Sequence, residues 1–346
     1  MSKPSGLQDA QTPHQRAWAH LSNAAMIWLT GSMVTLALLA LATVAGILLW
    51  TGGGWLFESH LEPAHGASYW DQLQVNLALL IYGSAEVTGS AAMLPAIVGT
   101  VLMIFLMTIV VAPLGVVVAL YLQYYASDSW YNDLVRISIQ NLAGVPSIVY
   151  GVFGLGFFVY VVGDQLDHWL FAEDLPKPTF GTPGLLWASL TLAMLTLPVV
   201  IVSAEEGFAR LPPSLGDGSL ALGATRAETI FYVLVPAASP SMLTGVILAI
   251  ARAAGEVAPL MLVGVVKYAP TLPVNFQAPF IHLEQKFMHL GFLVYDLTLH
   301  AHPSEGRLGL VAATSLVLVM VVLGLNLTAS GLRQRLRERY RQSGPL

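Results

Sequence analysis

A chain of 346 residues in which 55% are hydrophobic and only 10% charged, with mean hydropathy +0.68, excludes a water-soluble globular domain, because most of that apolar surface has to be solvated by lipid. The net charge of −5 is too small to define a partner, and nothing in it calls for nucleic acid. With no cysteine, disulfides and thiol chemistry are excluded.

A helix of roughly twenty apolar residues crosses the hydrocarbon core, and six such stretches succeed one another: Ala24–Trp50, Ala92–Leu122, Ile137–Val162, Gly184–Ala204, Ser239–Val266 and Leu308–Leu332. All but the fifth lack Asp, Glu, Lys and Arg. A β-barrel would show short strands of alternating polarity, which are absent here, so the chain reads as an all-α membrane protein with six transmembrane helices. The first run is about twice as long as a signal-peptide core and flows into further spans, so it is expected to persist as a membrane helix. Orientation comes from the basic tail (residues 333–346), which carries Arg333, Arg335, Arg337, Arg339 and Arg341 close to the sixth span. With six spans both termini are cytoplasmic, including residues 1–23 with Lys3 and Arg16. Ten Lys and Arg fall inside, four outside and one within a span.

Taken in order, Trp50 and Trp55 at the end of the first span, and Trp187 at the start of the fourth, read as interfacial anchors. The loop 51–91 faces outward. The second span leads into a cytoplasmic turn, Gln123–Arg136, with solvated Asp128 and Asp133. Gln140 and Asn141, just inside the third span, could line a polar path or bond across helices. Pro95, Pro113, Pro146, Pro198 and Pro259 could mark bends around a cavity. Gly163–Pro183 lies outside.

The cytoplasmic segment 205–238 is more than a loop. Ser214-Leu-Gly-Asp217 and Thr225-Arg-Ala-Glu228 both fit the capping-box pattern that opens a helix. Gly223 between them suits a left-handed helix end, and Pro236 and Pro240 bound the second helix ahead of the fifth span. Two short helices are expected, Ser214–Leu222 and Thr225–Val235, meeting at a Gly-Ala corner. The fifth span then carries Arg252 at its middle and Glu256 on the same face about 6 Å along the axis. An unpaired charge there costs about 3 kcal/mol. The two form either a self-neutralising lock or the lining of an anion path, since a guanidinium suits a tetrahedral oxyanion. In the outward loop Lys267–Arg307, His300 and His302, with Asp296 or Glu305, match no standard metal pattern and read as solvated. No metal site and no catalytic site are expected.

Certain stretches carry a family resemblance. Asp217-Gly-Ser-Leu-Ala-Leu-Gly223, continuing to Val233-Leu-Val-Pro236, resembles the Glu-Ala-Ala loop of ABC importer permeases. Asp217, Gly218 and Ser219 stand at the Glu-Ala-Ala positions, and Gly223 and Pro236 match strictly. Gly218 weakens the helix by about 1 kcal/mol relative to Ala. Ala143–Gly156, Gly99-Thr100, Ala112–Val116, Leu220–Arg226 and, above all, Leu243–Pro259 are similar to the PstA type of phosphate importer permease. The resemblance implies a type I importer (MetI-like) permease core over residues 92–332 in a bacterial inner membrane. It implies a PstC-like second permease as heterodimer partner, two copies of a PstB-like ATPase seated on Asp217, Gly223, Thr225, Glu228 and Pro236, and a PstS-like phosphate-binding protein outside. Arg252, Glu256, Gln140 and Asn141 would line the substrate path. No Gly-x-x-x-x-Gly-Lys-Ser/Thr loop occurs here, so ATP and Mg are expected on the partner ATPase and no cofactor on this chain. The alternatives are a permease for another oxyanion or a phosphonate and, from a different class, a secondary transporter or membrane sensor. A secondary transporter would show a repeat and several intramembrane carboxylates; only Glu256 is found.

Overall fold

The computed structural model describes residues 13–57, 69–82, 93–127, 129–174, 176–269, 271–275, 279–300 and 307–342. Six helices among them are long and apolar enough to cross a membrane: Thr30–Leu56, Met93–Tyr125, Ser147–Leu170, Leu185–Ala209, Arg226–Gly255 and Leu308–Arg335. Each falls on one of the six expected stretches, although both bounds of the third and of the fifth move substantially. Lys3, Asp128, His302, Glu305 and most of the loop 58–92 lie outside the described residues; a helix at Tyr69–Tyr82 is the described part of that loop.

The fourth span is the centre of the molecule. It packs between the second and the fifth, and the backbones approach closely where one partner is glycine: Gly115 on Val200, Gly245 on Ser203, and Gly207 on Ser241. A Cβ at any of the three would fall 2.6 Å from the facing side chain. Lipid gives helices no hydrophobic incentive to associate, so such close small-residue packing holds them together. Buried Ser189, Thr191 and Thr196 donate to the carbonyls of Leu185, Trp187 and Leu192, four residues back on their own helix, at 2.8, 2.7 and 2.8 Å. No polar group of theirs is left facing hydrocarbon. The first span stands apart, its apolar stretch wholly unburied. It docks only at its end, where Gly52 lies on the Ala312 backbone and Trp55 on Gly309. Trp55 and Trp187 are therefore core residues, and only Trp50 is exposed as an interfacial anchor would be. The Trp187 indole N–H donates to the Phe180 carbonyl at 2.7 Å.

The expected third span is not one helix. Trp130–Leu142 ends before a turn at 143–146, and the membrane helix starts at Ser147. Pro146 (φ −56°, ψ 136°) has no N–H to give and keeps Val145 out of helical conformation. The turn is closed by Gly144 N–H on the Asn141 carbonyl and Val145 N–H on the Leu142 carbonyl, at 3.0 and 3.2 Å. Trp130–Leu142 shows Trp130, Tyr131, Leu134 and Ile137 outward and turns Asn132 inward, an amphipathic face suited to the membrane–water boundary.

Opposite the 205–238 segment, the connecting chain is folded down rather than looped out. The buried Asp167 carboxylate accepts the Phe180 and Gly181 N–H groups at 2.7 and 2.6 Å, clamping the stretch between the third and fourth spans. Asp167→Ala orphans two donors at about 1–3 kcal/mol each. The melting midpoint of the purified protein is expected to fall by several degrees, and by about half as much in Asp167→Asn, which keeps one acceptor oxygen. An unchanged midpoint in Asp167→Ala would show that the clamp contributes nothing.

Candidate translocation and coupling sites

Arg252 occupies the last turn of the helix Arg226–Gly255, and Glu256 comes next as the C-cap in extended conformation (φ −78°, ψ 128°). The helix therefore stops eleven residues short of the expected Val266. Gly255 and Pro259 explain the stop: one weakens the helix and the other cannot continue it. The ion pair expected from the spacing forms across this helix end, with Arg252 Nε 3.5 Å from Glu256 Oε1. The side chains are 33% and 20% exposed, so the pair is neither solvated nor sealed.

The break after Gly255 meets the break before Ser147. Gly151 lies against Pro259 so closely that a Cβ would sit 2.7 Å from the proline Cα. Tyr150, buried beside it, donates its hydroxyl to the Leu142 carbonyl at 2.7 Å and stands within electrostatic reach of Arg252. Two interrupted helices thus converge on Arg252. Beyond Pro259 a short turn, Leu260–Val263, leads to Gly264 at φ +145°, where a Cβ would strike the Gly184 backbone at 2.8 Å. Only glycine fits both constraints.

Gln140 and Asn141 are placed differently from expectation. Both lie in the last turn of Trp130–Leu142 rather than in a span. Gln140 lines a cleft of about 280 Å³ with Gln123, Arg136, Glu205 and Glu206, not with Arg252; Asn141 is exposed. This cleft contains an interaction that sequence reasoning missed. Arg136 Nη1 pairs with Glu205 Oε1 at 2.8 Å while its Nη2 donates to the Leu122 carbonyl at 2.7 Å, tying the ends of the second and fourth spans to the amphipathic helix. Arg136 and Glu205 each stood at the edge of an expected cytoplasmic segment, and nothing in their spacing joins them.

The 205–238 segment contains the expected corner. Its first helix, Pro213–Ala221, is opened by Pro213 at N1, not by a box at Ser214, which makes no cap bond. It closes in a Schellman motif: Gly223 has φ +92°, Ala224 N–H donates to the Ser219 carbonyl at 3.3 Å, and Gly223 N–H donates to the Leu220 carbonyl at 3.0 Å. The second box is complete. Glu228 N–H donates to Thr225 Oγ1 at 3.3 Å, and Glu228 Oε2 accepts the Thr225 N–H at 2.8 Å. The Ser219 and Thr229 hydroxyls, 2.9 Å apart, join the two helices.

The second helix does not end at Pro236. A π-helical turn, Thr229–Leu234, precedes it, and the helix runs on through Pro236 and Pro240 to Gly255. Bonds of the i→i+5 kind reset the ladder just ahead of the residue that has no N–H to donate. The corner and Arg252 are consequently two ends of one helix. Asp217, Gly223, Thr225 and Glu228 are exposed, and Leu222 projects from the corner with 91% of its surface free. A cavity of about 460 Å³ lies behind, walled by Tyr124, Phe208, Asp217, Leu220, Arg226 and Ile230.

His300 does not stand alone: Asp296 takes both His300 Nδ1 at 3.5 Å and Lys267 Nζ at 2.9 Å. Among the described residues no three potential ligands form a metal cluster.

Six membrane helices with an exposed, capped helical corner on one face define a multi-pass permease subunit of the type I importer fold. The profile of the "Binding-protein-dependent transport system inner membrane component" matches residues 111–342, and the chain belongs to that family. It is 30% identical over 240 residues to the Mycobacterium tuberculosis "Phosphate transport system permease protein PstA 1", covering 69% of each chain. Similarity to the "Probable ABC transporter permease protein YqgH" of Bacillus subtilis is 35% over 183 residues, covering 53% of this chain and 55% of that one. The chain thus spans little more than half the length of some curated relatives it matches. A bacterial alginate ABC transporter crystallised with a pentasaccharide-bound periplasmic protein shares the fold, with TM-score 0.56 and 14% identity over 91% of this chain and 96% of its own.

Proposed function

We propose that this chain is a membrane permease of an ATP-driven importer of inorganic phosphate. The observation that carries the reading is the single helix Arg226–Gly255, which begins at the exposed corner and carries Arg252 in its last turn. At 1.5 Å per residue it is about 45 Å long, enough to carry a push on one membrane face to a cation deep in the fold. Relatives named as phosphate transport permeases support the choice of anion.

The corner 213–234 docks on a cytoplasmic PstB-like ATPase, two copies of which hold the ATP and Mg. A PstC-like permease completes the path as heterodimer partner, and a PstS-like protein delivers phosphate from the opposite side. Both termini lie in the cytoplasm of a bacterial cell, the basic tail obeying the positive-inside rule. ATPase closure tilts the fifth helix, and its end moves against the broken third span. Arg252 offers the passing phosphate two parallel N–H donors, and Glu256 holds that guanidinium in place. Gln140 and Asn141 lie toward the cytoplasmic mouth.

The test is ATP hydrolysis by the reconstituted complex with its binding protein, across phosphate, arsenate, sulfate and molybdate. Phosphate and arsenate, alike in shape and protonation, are expected to stimulate; stimulation by sulfate or molybdate alone would transfer the chain to another oxyanion system. Leu222→Glu places a charge where an apolar knob enters the ATPase. At about 2 kcal/mol or more for a central apolar anchor, the ATPase is expected to dissociate on size-exclusion chromatography. Co-elution at wild-type stoichiometry would remove Leu222 from the interface.

A further inference from the structure

On the face opposite the coupling corner, the chain after Gly264 runs down against the second and fourth spans. Val265 pairs with Phe287, Phe287 N–H donates to the Gly264 carbonyl at 3.2 Å, and the Leu290 N–H donates to Thr100 Oγ1 at 2.9 Å. Gly99 admits this segment: a Cβ there would lie on the Met288 carbonyl. His289 stands at the point of insertion, as N-cap of the helix Leu290–Leu299. Its carbonyl accepts the Leu293 N–H at 2.9 Å, so its backbone is engaged.

Its side chain is not. The ring is 0% exposed, makes no cap bond, and among the described residues neither Nδ1 nor Nε2 has a hydrogen-bond partner. A neutral imidazole has one donor and one acceptor to satisfy. Burial pushes its pKa down to about 4, so the ring is uncharged at neutral pH. A second permease docking on the outside could not reach a ring with no exposed surface. The ring lies over Gly291, and that glycine is also approached by Val257: a Cβ on Gly291 would fall 3.1 Å from His289 Cε1 and 3.0 Å from Val257 Cγ2. Val257 comes directly after Glu256, beyond the end of the long helix. The orphaned ring and Val257, the second residue past the end of the helix that the coupling corner would move, therefore border the same point beside Gly291.

We propose that His289 is a gating residue of the transport cycle: dry and unpaired while the face opposite the coupling corner is closed, and hydrated when movement of the fifth-helix end lifts Val257 away. A buried polar group without partners destabilises the state that buries it, so His289 tilts the resting complex toward opening on that face. The inference rests on the importer reading but not on which anion is carried.

Two measurements on the complete complex test it. The first is hydrogen–deuterium exchange at the imidazole C2 position of wild-type protein, nucleotide-free and trapped with ATP on a hydrolysis-deficient ATPase. His289 is expected to exchange at least roughly tenfold more slowly than exposed His300 without nucleotide, and to approach the His300 rate when trapped. Equal His289 exchange in the two states overturns the proposal. The second is His289→Phe, which fills the site without polar atoms. Its nucleotide-free complex is expected to melt at higher temperature than wild type while taking up phosphate several-fold more slowly. A lower or equal melting temperature, including failure to assemble, overturns the proposal, because it means that a bound water or another partner already satisfies the ring in the closed state. Absence of phosphate stimulation in wild type would defeat the anion assignment and leave the exchange experiment intact.

Discussion

The double variant Arg252→Glu with Glu256→Arg is expected to fold, to assemble with its partners, and to lose phosphate uptake. The native pair spans 3.5 Å with its side chains 33% and 20% exposed, and the exchange keeps neutrality and attraction. It moves a carboxylate onto the last turn of the helix, where the macrodipole favours a cation, at about 0.3–1 kcal/mol. That is too little to unfold a membrane domain. What changes is the charge offered at the junction of the two broken helices. Losing two charge-assisted hydrogen bonds to an oxyanion, each about 1.5–3 kcal/mol, lowers uptake by roughly 10²-fold or more. Arg252→Gln alone is less informative, because it leaves Glu256 uncompensated. The 3–5 kcal/mol penalty known for fully buried pairs is only partly incurred here, given the exposure. A stable double variant that transports at near wild-type rate would make the pair a packing lock.

The second large effect is expected at Gly223. Nothing lies within 4 Å of a Cβ built there, so a side chain would meet no obstacle; the objection is wholly to φ +92°. Gly223→Val costs about 1–2 kcal/mol in that region and opens the two Schellman bonds. The helix Pro213–Ala221 then loses its fixed angle to Arg226–Gly255. Hydrolysis is expected to continue while phosphate moved per ATP falls steeply. Gly223→Asn, which tolerates positive φ, should retain most of the coupling. Equal coupling ratios in Val and wild type would show that the corner does not transmit force.

Features set by short-range chemistry were legible. The length of apolar runs located six spans, Thr225 and Glu228 announced a box that forms, and Gly223 announced a left-handed corner. Pro146 and Pro236 show where local reading stops. Both are prolines in apolar surroundings, yet one ends a helix and the other is absorbed by a π turn. The difference lies in the preceding turn's hydrogen bonding, which hydropathy does not encode. Arg252 and Glu256 were found because four residues separate them. Arg136 and Glu205 were not, because only the packing of the amphipathic helix on the fourth span brings them together. Trp55 and Trp187 look like interfacial anchors until Gly309 and the Phe180 carbonyl are seen beside them. His289 carries no signal at all in the sequence, since its interest lies in what it fails to touch.

Coupling of ATP to phosphate movement through the helix that joins the corner to Arg252 is tested most directly by radiolabelled uptake. Proteoliposomes holding this chain with the proposed second permease and ATPase are supplied with the proposed binding protein outside and ATP within. Labelled phosphate should accumulate against its gradient only with ATP and binding protein present, be displaced by unlabelled phosphate but not by sulfate, and fail in the Arg252→Glu, Glu256→Arg vesicles. Accumulation that needs no ATP, or that the exchanged pair supports at the wild-type rate, would contradict it.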